Sequence, residues 1–235
     1  MKRLFLAAAM TAFGVSAIQG APLACSTLST LRQYMDLANG CNLGDATVSG
    51  FTFVVLTGNQ VTIDPVNISV TASTSSSTPL GTQLLFASNY FSVTNGMKLR
   101  YDLSYTFTSP VPNLGAAGMT LSGVTLNGTF SNDPNVRRVY LDTNYFSGEL
   151  DFTNELTATQ STITRTAAFD PPVSGGDLVV NHIKLRTQTG AGNTASFASF
   201  SNDFLVTPEP AGWILSLSGL GVAGFWLSRI RGRSV

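Results

Sequence analysis

Few residues in this chain are of types that carry out chemistry, and their spacing decides what each could do. His182 is the only histidine among 235 residues and sits between Asn181 and Ile183. A hydrolytic triad would need it beside a serine and a carboxylate, and no G-x-S-x-G elbow occurs. It reads instead as a structural or surface histidine on a strand. Glu149 and Asp151 form the tightest acidic couple, on one strand face at i, i+2. Glycoside chemistry requires two carboxyl groups about 5–9 Å apart across a cleft, which this spacing alone does not supply. Asp142, Asn144 and Glu149, with Asp133 and Asn135 nearby, offer oxygen donors of the kind calcium takes. Their spacing is not that of an EF-hand, and turn-forming Asn and Asp account for them. Thr162, Thr164 and Thr166 alternate along one strand face. Such a hydroxyl ladder suits a flat surface of ice or polysaccharide, and equally an ordinary solvent-facing strand. The expectation is a protein without a catalytic residue, cofactor or metal, and not an enzyme.

The elements that would position these residues are strands. From Ala46 onward the chain is rich in Thr, Val, Phe, Tyr and Ser. Lys98 to Phe107 alternates with period two: Leu99, Tyr101, Leu103, Tyr105 and Phe107 fall on one face, Lys98, Arg100, Asp102 and Ser104 on the other. Further strands are predicted from Val48, over Val61–Val70 with a break at Asp64-Pro65, and over Leu84–Val93. Others follow at Met119–Phe130, Val136–Leu141, Leu156–Ala167, Leu178–Thr187 and Ala195–Val206. Turn chemistry separates them at Thr94-Asn95-Gly96, Asn127-Gly128, Asn132 to Asn135, Asp170-Pro171-Pro172 and Gly175-Gly176. Thr71–Gly81 and Ser109–Gly118 read as surface loops. About 180 residues with this pattern predict one antiparallel β-sandwich over residues 25–207.

Both ends differ from this body. Met1-Lys2-Arg3 precedes an apolar stretch, LFLAAAMTAFGVSAI, with small residues at Val15-Ser16-Ala17, so residues 1–24 read as a secretory signal region. At the other end, Pro208-Glu209-Pro210 leads into the uncharged run Ala211–Leu227, followed by Arg229, Arg231 and Arg233. The prolines keep their neighbourhood extended. The apolar run would reach about 27 Å as a helix, just under a bilayer core of roughly 30 Å. The arginines place its end on the cytoplasmic side. Residues 208–235 thus read as a transmembrane segment with a basic stop, and the chain is expected to be exported.

Export bears on the two cysteines. Cys25 and Cys41 lack the C-x-x-C spacing of a redox or zinc pair, and an oxidising compartment favours joining them. Between them, Leu28, Leu31, Met35 and Ala38 recur at helical spacing, with Ser26 or Thr27 available as cap and Gly40 as stop. A bridge would pin this short helix to the first strand. Charge narrows the partners. The whole chain balances 13 basic against 13 acidic groups, and residues 25–207 keep 8 basic and 12 acidic, a net of −4. Such a domain is unsuited to gripping nucleic acid.

The tail, with Pro208, Glu209, Pro210, Trp213 and the closing Arg229, Arg231 and Arg233, resembles the PEP-CTERM sorting signal of Gram-negative bacteria. Cys25-Ser26-Thr27-Leu28, Gly40-Cys41, Gly44-Asp45, Phe51 and Phe53, and the late VNHIKLRT (Val180 to Thr187) with Ser199 to Phe204 also resemble proteins that carry this signal. The resemblance implies a secreted β-sandwich without an assigned activity. It also implies anchoring in the inner membrane, cleavage near the Pro-Glu-Pro triplet by an exosortase-type enzyme, and release to the cell surface or an exopolysaccharide matrix. A carbohydrate-binding or hydrolytic sandwich carried by the same signal is the alternative. An exposed aromatic groove would favour binding, and Tyr90, Tyr140 and Tyr145 are the tyrosines to place.

Overall fold

The computed structural model describes residues 23–74, 80–128, 138–145, 150–156 and 159–206. The signal region up to residue 22 and the tail from residue 207 lie outside them, as do Asp133, Asn135 and Glu149. The chain is mainly β, as expected, and its strands form two layers packed face to face.

After β1 (Leu23–Ala24) and a 3-10 turn at Cys25–Thr27 comes helix α1 (Leu31–Met35). The strands then run β2 (Cys41–Leu43), β3 (Ala46–Val55), β4 (Ser69–Thr74), β5 (Thr82–Ala87) and β6 (Ser92–Thr94). There follow β7 (Lys98–Asn127), β8 (Arg138–Tyr145), β9 (Leu150–Leu156), β10 (Gln160–Arg186), β11 (Thr194–Ser196) and β12 (Ser199–Val206). The front layer has the order β1-β2-β3-β7-β10-β8-β9. The back layer runs β4-β5-β12-β7-β10. Pairing is antiparallel except for β1 with β2.

Strands β7 and β10 belong to both layers. The first half of β7 pairs with β3 and the second half of β10; its second half pairs with β12 and the first half of β10. This corrects two expectations. Ser109–Gly118 is not a surface loop but the middle of β7, and Asp170-Pro171-Pro172 with Gly175-Gly176 does not end a strand but bends β10 through it. The reason lies in the ladder. Register slips between Ala168 and Val173 and again before Gly175, and residues 110–113 have no rung. Pro110, Pro112, Pro171 and Pro172, which lack an amide hydrogen, fall in this interruption, where bulging lets a strand change layers. Leu114 and Ala117, just beyond, are buried, so the segment is held by packing. The first part of Thr71–Gly81 likewise extends strand β4.

The core lies between the layers. Leu99, Tyr101, Leu103, Tyr105 and Phe107 are all buried, as their alternation predicts. Phe107 stacks on Phe204 of the back layer at 4.1 Å between ring centres, and Phe86 stacks on Phe200 at 4.9 Å. A polar clamp crosses the same core. Asn181 and Asn202 exchange amide hydrogen bonds of 3.0 and 2.9 Å, while Thr143 donates to Asn181 and Tyr105 to Asn202. Each buried amide is thereby satisfied, which a dry core requires.

The amino-terminal end is closed covalently. Cys25 and Cys41 form a disulfide with Cα atoms 5.0 Å apart, joining the 3-10 turn to β2. Closing a 16-residue separation stabilises by about 3 kcal/mol on the loop-entropy estimate. The helix is shorter than its apolar spacing suggests. Thr30 rather than Ser26 or Thr27 caps it, in a box where Gln33 bonds back to the Thr30 amide. Tyr34 packs edge-on against Phe51 and donates its hydroxyl to the Cys25 carbonyl at 2.8 Å, and burial pushes its phenol up to about 12. Gly40, at φ +71°, precedes the bridged Cys41; a side chain there would collide with the Val48 carbonyl.

Candidate functional sites on the two outer faces

With the inner faces filled by packing, chemistry is left to the outward positions of each layer. On the front layer, β3, β7, β10 and β8 present rows of directly opposed residues. One row is Val54, Asp102, His182 and Asp142; the next is Arg100, Lys184 and Tyr140; a third is Lys98, Arg186 and Arg138. On the other side of the histidine row stand Thr52, Ser104, Val180 and Asn144.

His182 lies on this face, and its Nδ1 is 2.6 Å from Asp102 Oδ1. A carboxylate so placed orients an imidazole, the first half of a triad. The second half is not assembled there: Ser104, the serine two residues along β7 from Asp102, shares its hydroxyl with Thr52 at 2.6 Å. Asp142 and Asn144 are neighbours along β8, with Asn144 Nδ2 3.5 Å from Asp142 Oδ2. Asp151 is exposed on β9 opposite Asn144. Among the described residues no three His, Cys, Asp or Glu side chains converge as a metal site requires.

The back layer presents hydroxyls. Thr71, Leu85, Ser201, Thr120 and Thr164 form one row, and Ser69, Ala87, Ser199, Ser122 and Thr162 the next. The threonine ladder is therefore part of a wider hydroxyl surface, with Thr120 and Thr164 bonded at 3.1 Å. One carboxylate is set into it. Asp203, fully buried, accepts from Gln83 at 2.8 Å and from Ser201 at 3.1 Å. Burial raises its carboxyl above the ordinary 3.8, and these hydrogen bonds pull the other way.

At the edge of this surface lies a shallow groove of about 440 Å³. Val66, Asn67, Ser69, Leu85, Ala87, Asn89 and Ser199 are among the residues that line it. Tyr90, the residue after Asn89, is 52% exposed. The three tyrosines thus separate: Tyr145 is buried with its hydroxyl on the Gly118 carbonyl, Tyr140 lies under the Lys184 ammonium on the front face, and Tyr90, next in sequence to the groove residue Asn89, is exposed. Sequence reasoning missed both the groove and the charged rows, because they depend on pairings between remote segments, Ala87 with Ser199 and Lys98 with Arg186.

The disulfide cysteines are joined as expected, whereas Pro208, Glu209, Pro210, Trp213, Arg229, Arg231 and Arg233 lie outside the described residues. No protein-family model matches the chain, and no curated protein matches it. Solved structures of similar layout include TmCBM61 in complex with β-1,4-galactotriose (11% identity, 68% of this chain and 90% of that one, TM-score 0.34). Another is the enzymatically active domain of tailspike protein 4 from bacteriophage CBA120 (11% identity, 72% of this chain and 21% of that one, TM-score 0.26). A third is the CBM22-1 xylan-binding domain of Xyn10C from Paenibacillus barcinonensis (8% identity, 80% of this chain and 99% of that one, TM-score 0.23). At such TM-scores these likenesses assign no ligand and no activity to this chain.

Proposed function

We propose that this chain is an exported, non-enzymatic surface or extracellular-matrix protein. It is led out by its first 24 residues, held at the inner membrane by Ala211–Leu227, and passed on by cleavage near Pro208-Glu209-Pro210. The observation that carries this reading is the Cys25–Cys41 bridge. A sandwich whose 3-10 turn and strand β2 are locked together by a disulfide matures in an oxidising compartment, and the two terminal segments are of the kind that take a chain there. The side chains that could do chemistry stand on open sheet faces, with His182 held by Asp102 and the adjacent serine engaged by Thr52. That arrangement suits contact with a surrounding matrix better than turnover. The test is processing in the native host. Replacing Pro208, Glu209 and Pro210 by alanine is expected to leave export intact and to trap full-length protein in the membrane. Wild-type protein that still carries residues 211–235 when recovered from the cell surface would replace sorting by a plain membrane anchor.

A second reading, a carbohydrate-binding sandwich, is favoured by the groove at the edge of the back layer. Amide groups from Asn67 and Asn89, serine hydroxyls and an exposed tyrosine next to Asn89 in sequence are the uncharged, mixed polar and apolar set with which a neutral sugar is held.

A further inference from the structure

The charged face of the front layer has an arrangement that stability alone does not favour. Residues 25–207 carry eight basic groups: Arg32, Lys98, Arg100, Arg137, Arg138, Arg165, Lys184 and Arg186. Five of the eight meet in two neighbouring rows at one end of this face. Arg100 stands directly opposite Lys184, Lys98 opposite Arg186, and Arg186 opposite Arg138. Directly opposed residues of an antiparallel pair have Cβ atoms about 4.5–5.5 Å apart, and like charges so placed repel and destabilise the sheet. In a domain with a net charge of −4, carboxylates to separate these cations are plentiful, yet the fold gathers the cations together.

Nor, among the described side chains, is the charge cancelled locally. The Arg100 guanidinium donates to the Thr57 carbonyl at 2.7 Å, and the Lys184 ammonium lies 4.6 Å from the centre of the Tyr140 ring. Both partners are neutral, so they hold the cations in place without neutralising them. Among the described residues, Lys98 and Arg186 have no carboxylate within ion-pair distance. Of the two carboxylates in the adjoining row, Asp102 is engaged with His182 and Asp142 with Asn144. Arg186 is exposed, and Lys98, Arg100 and Lys184 are partly so.

We propose that this block, Lys98, Arg100, Lys184 and Arg186, is a binding site for an acidic polysaccharide, a chain of uronate sugars. A bound polyanion relieves the cross-strand repulsion. The neighbouring rows select its kind. Asp102 and Asp142 flank His182 one rung away, and Ser104 and Asn144 follow in the next. Carboxylates in that position repel a strand of closely spaced phosphates, which in duplex DNA amounts to one charge per about 1.7 Å of axis. The same carboxylates accept hydrogen bonds from sugar hydroxyls. A polymer with one carboxylate per ring and hydroxyls between fits cations spaced about 4.8 Å across the strands and about 6.8 Å along them, next to a row of acceptors. The assignment deepens the matrix reading above. The two fail separately, because binding is measured in vitro and sorting in the host.

The experiment uses the full-length chain purified in detergent, with polygalacturonate, neutral dextran and duplex DNA as probes. The wild type should bind polygalacturonate at low salt, release it as salt rises, and bind dextran and DNA at least tenfold more weakly. The double variant Lys98→Gln/Arg186→Gln should lose tenfold or more in affinity for polygalacturonate while its melting temperature stays level or rises, since like-charge pairs have been removed. Arg32→Gln, on the exposed side of α1, should change nothing. Undiminished binding by the double variant, or equal loss in Arg32→Gln, overturns the site. Equal or tighter binding of DNA overturns its assignment to a polysaccharide, equal binding of dextran overturns the role of charge, and a wild type that binds no polygalacturonate overturns the proposal outright.

Discussion

The two outer faces of the sandwich are made from the same strands yet carry opposite chemistry. Strands β7 and β10 run through both layers, so a single chain segment contributes Lys98, Arg100 and Asp102 to the front face and Thr120 and Ser122 to the back. In front, charge is exposed and like charges face each other. At the back the rows are hydroxyls, and the carboxylate among them, Asp203, is buried under its own hydrogen bonds. The difference teaches that the inner face sets the fold while the outer face is free to vary. Packing constrains alternate residues to be large and apolar, and leaves the residues between them to whatever each surface meets.

The largest way to break the comparison is to remove what the two faces share. Leu103 is fully buried beneath the front rows, and Leu103→Ala should cost about 2–5 kcal/mol. Both surfaces would be lost in one cooperative transition, seen as a single lowered melting temperature. Two separated transitions would mean that the layers are not one folding unit.

A smaller change separates the faces. If the groove takes neutral sugar, Tyr90→Ala should weaken neutral-glycan binding on an array about tenfold, near 1.4 kcal/mol, and leave polygalacturonate binding unchanged. Loss of both together would place them on one surface.

The smallest effect concerns pH. Because burial raises the Asp203 carboxyl, the folded state holds that proton more tightly than the unfolded chain does. Its contribution to stability is therefore complete below the ordinary 3.8 and is lost as pH rises through the raised folded value. Asp203→Asn cannot ionise, so its denaturation midpoint, followed from about pH 3 to 7, should decline less than that of the wild type. Parallel curves would show that Asp203 titrates as it does in water, and the back face would then resemble the front in carrying an exposed charge.

Much of this was legible in the sequence. The burial of Leu99, Tyr101, Leu103, Tyr105 and Phe107 follows from alternation alone, because a strand has only two faces and one must leave water. The Asn95-Gly96 turn, with both residues at positive φ, follows from local backbone chemistry. So does the joining of Cys25 and Cys41, which lie close along the chain and bracket a short helix. The charges at each end of the chain likewise require no fold to be read.

What the tertiary structure alone decided is which distant residues stand side by side. Prolines 110, 112, 171 and 172 read as loop signals, and only the two-layer packing shows that they bend continuous strands from one sheet to the other. His182 reads as an isolated residue until register places it against Asp102, 80 positions away. Asn181 and Asn202 look like exposed polar residues until the layers close over them. The basic block has no signature in the chain, because Arg100 and Lys184 become neighbours only through ladder register. Periodicity depends on each residue and its near neighbours, so it survives in a linear sequence. Register depends on how two remote strands slide against each other, and it is settled only when the whole core packs.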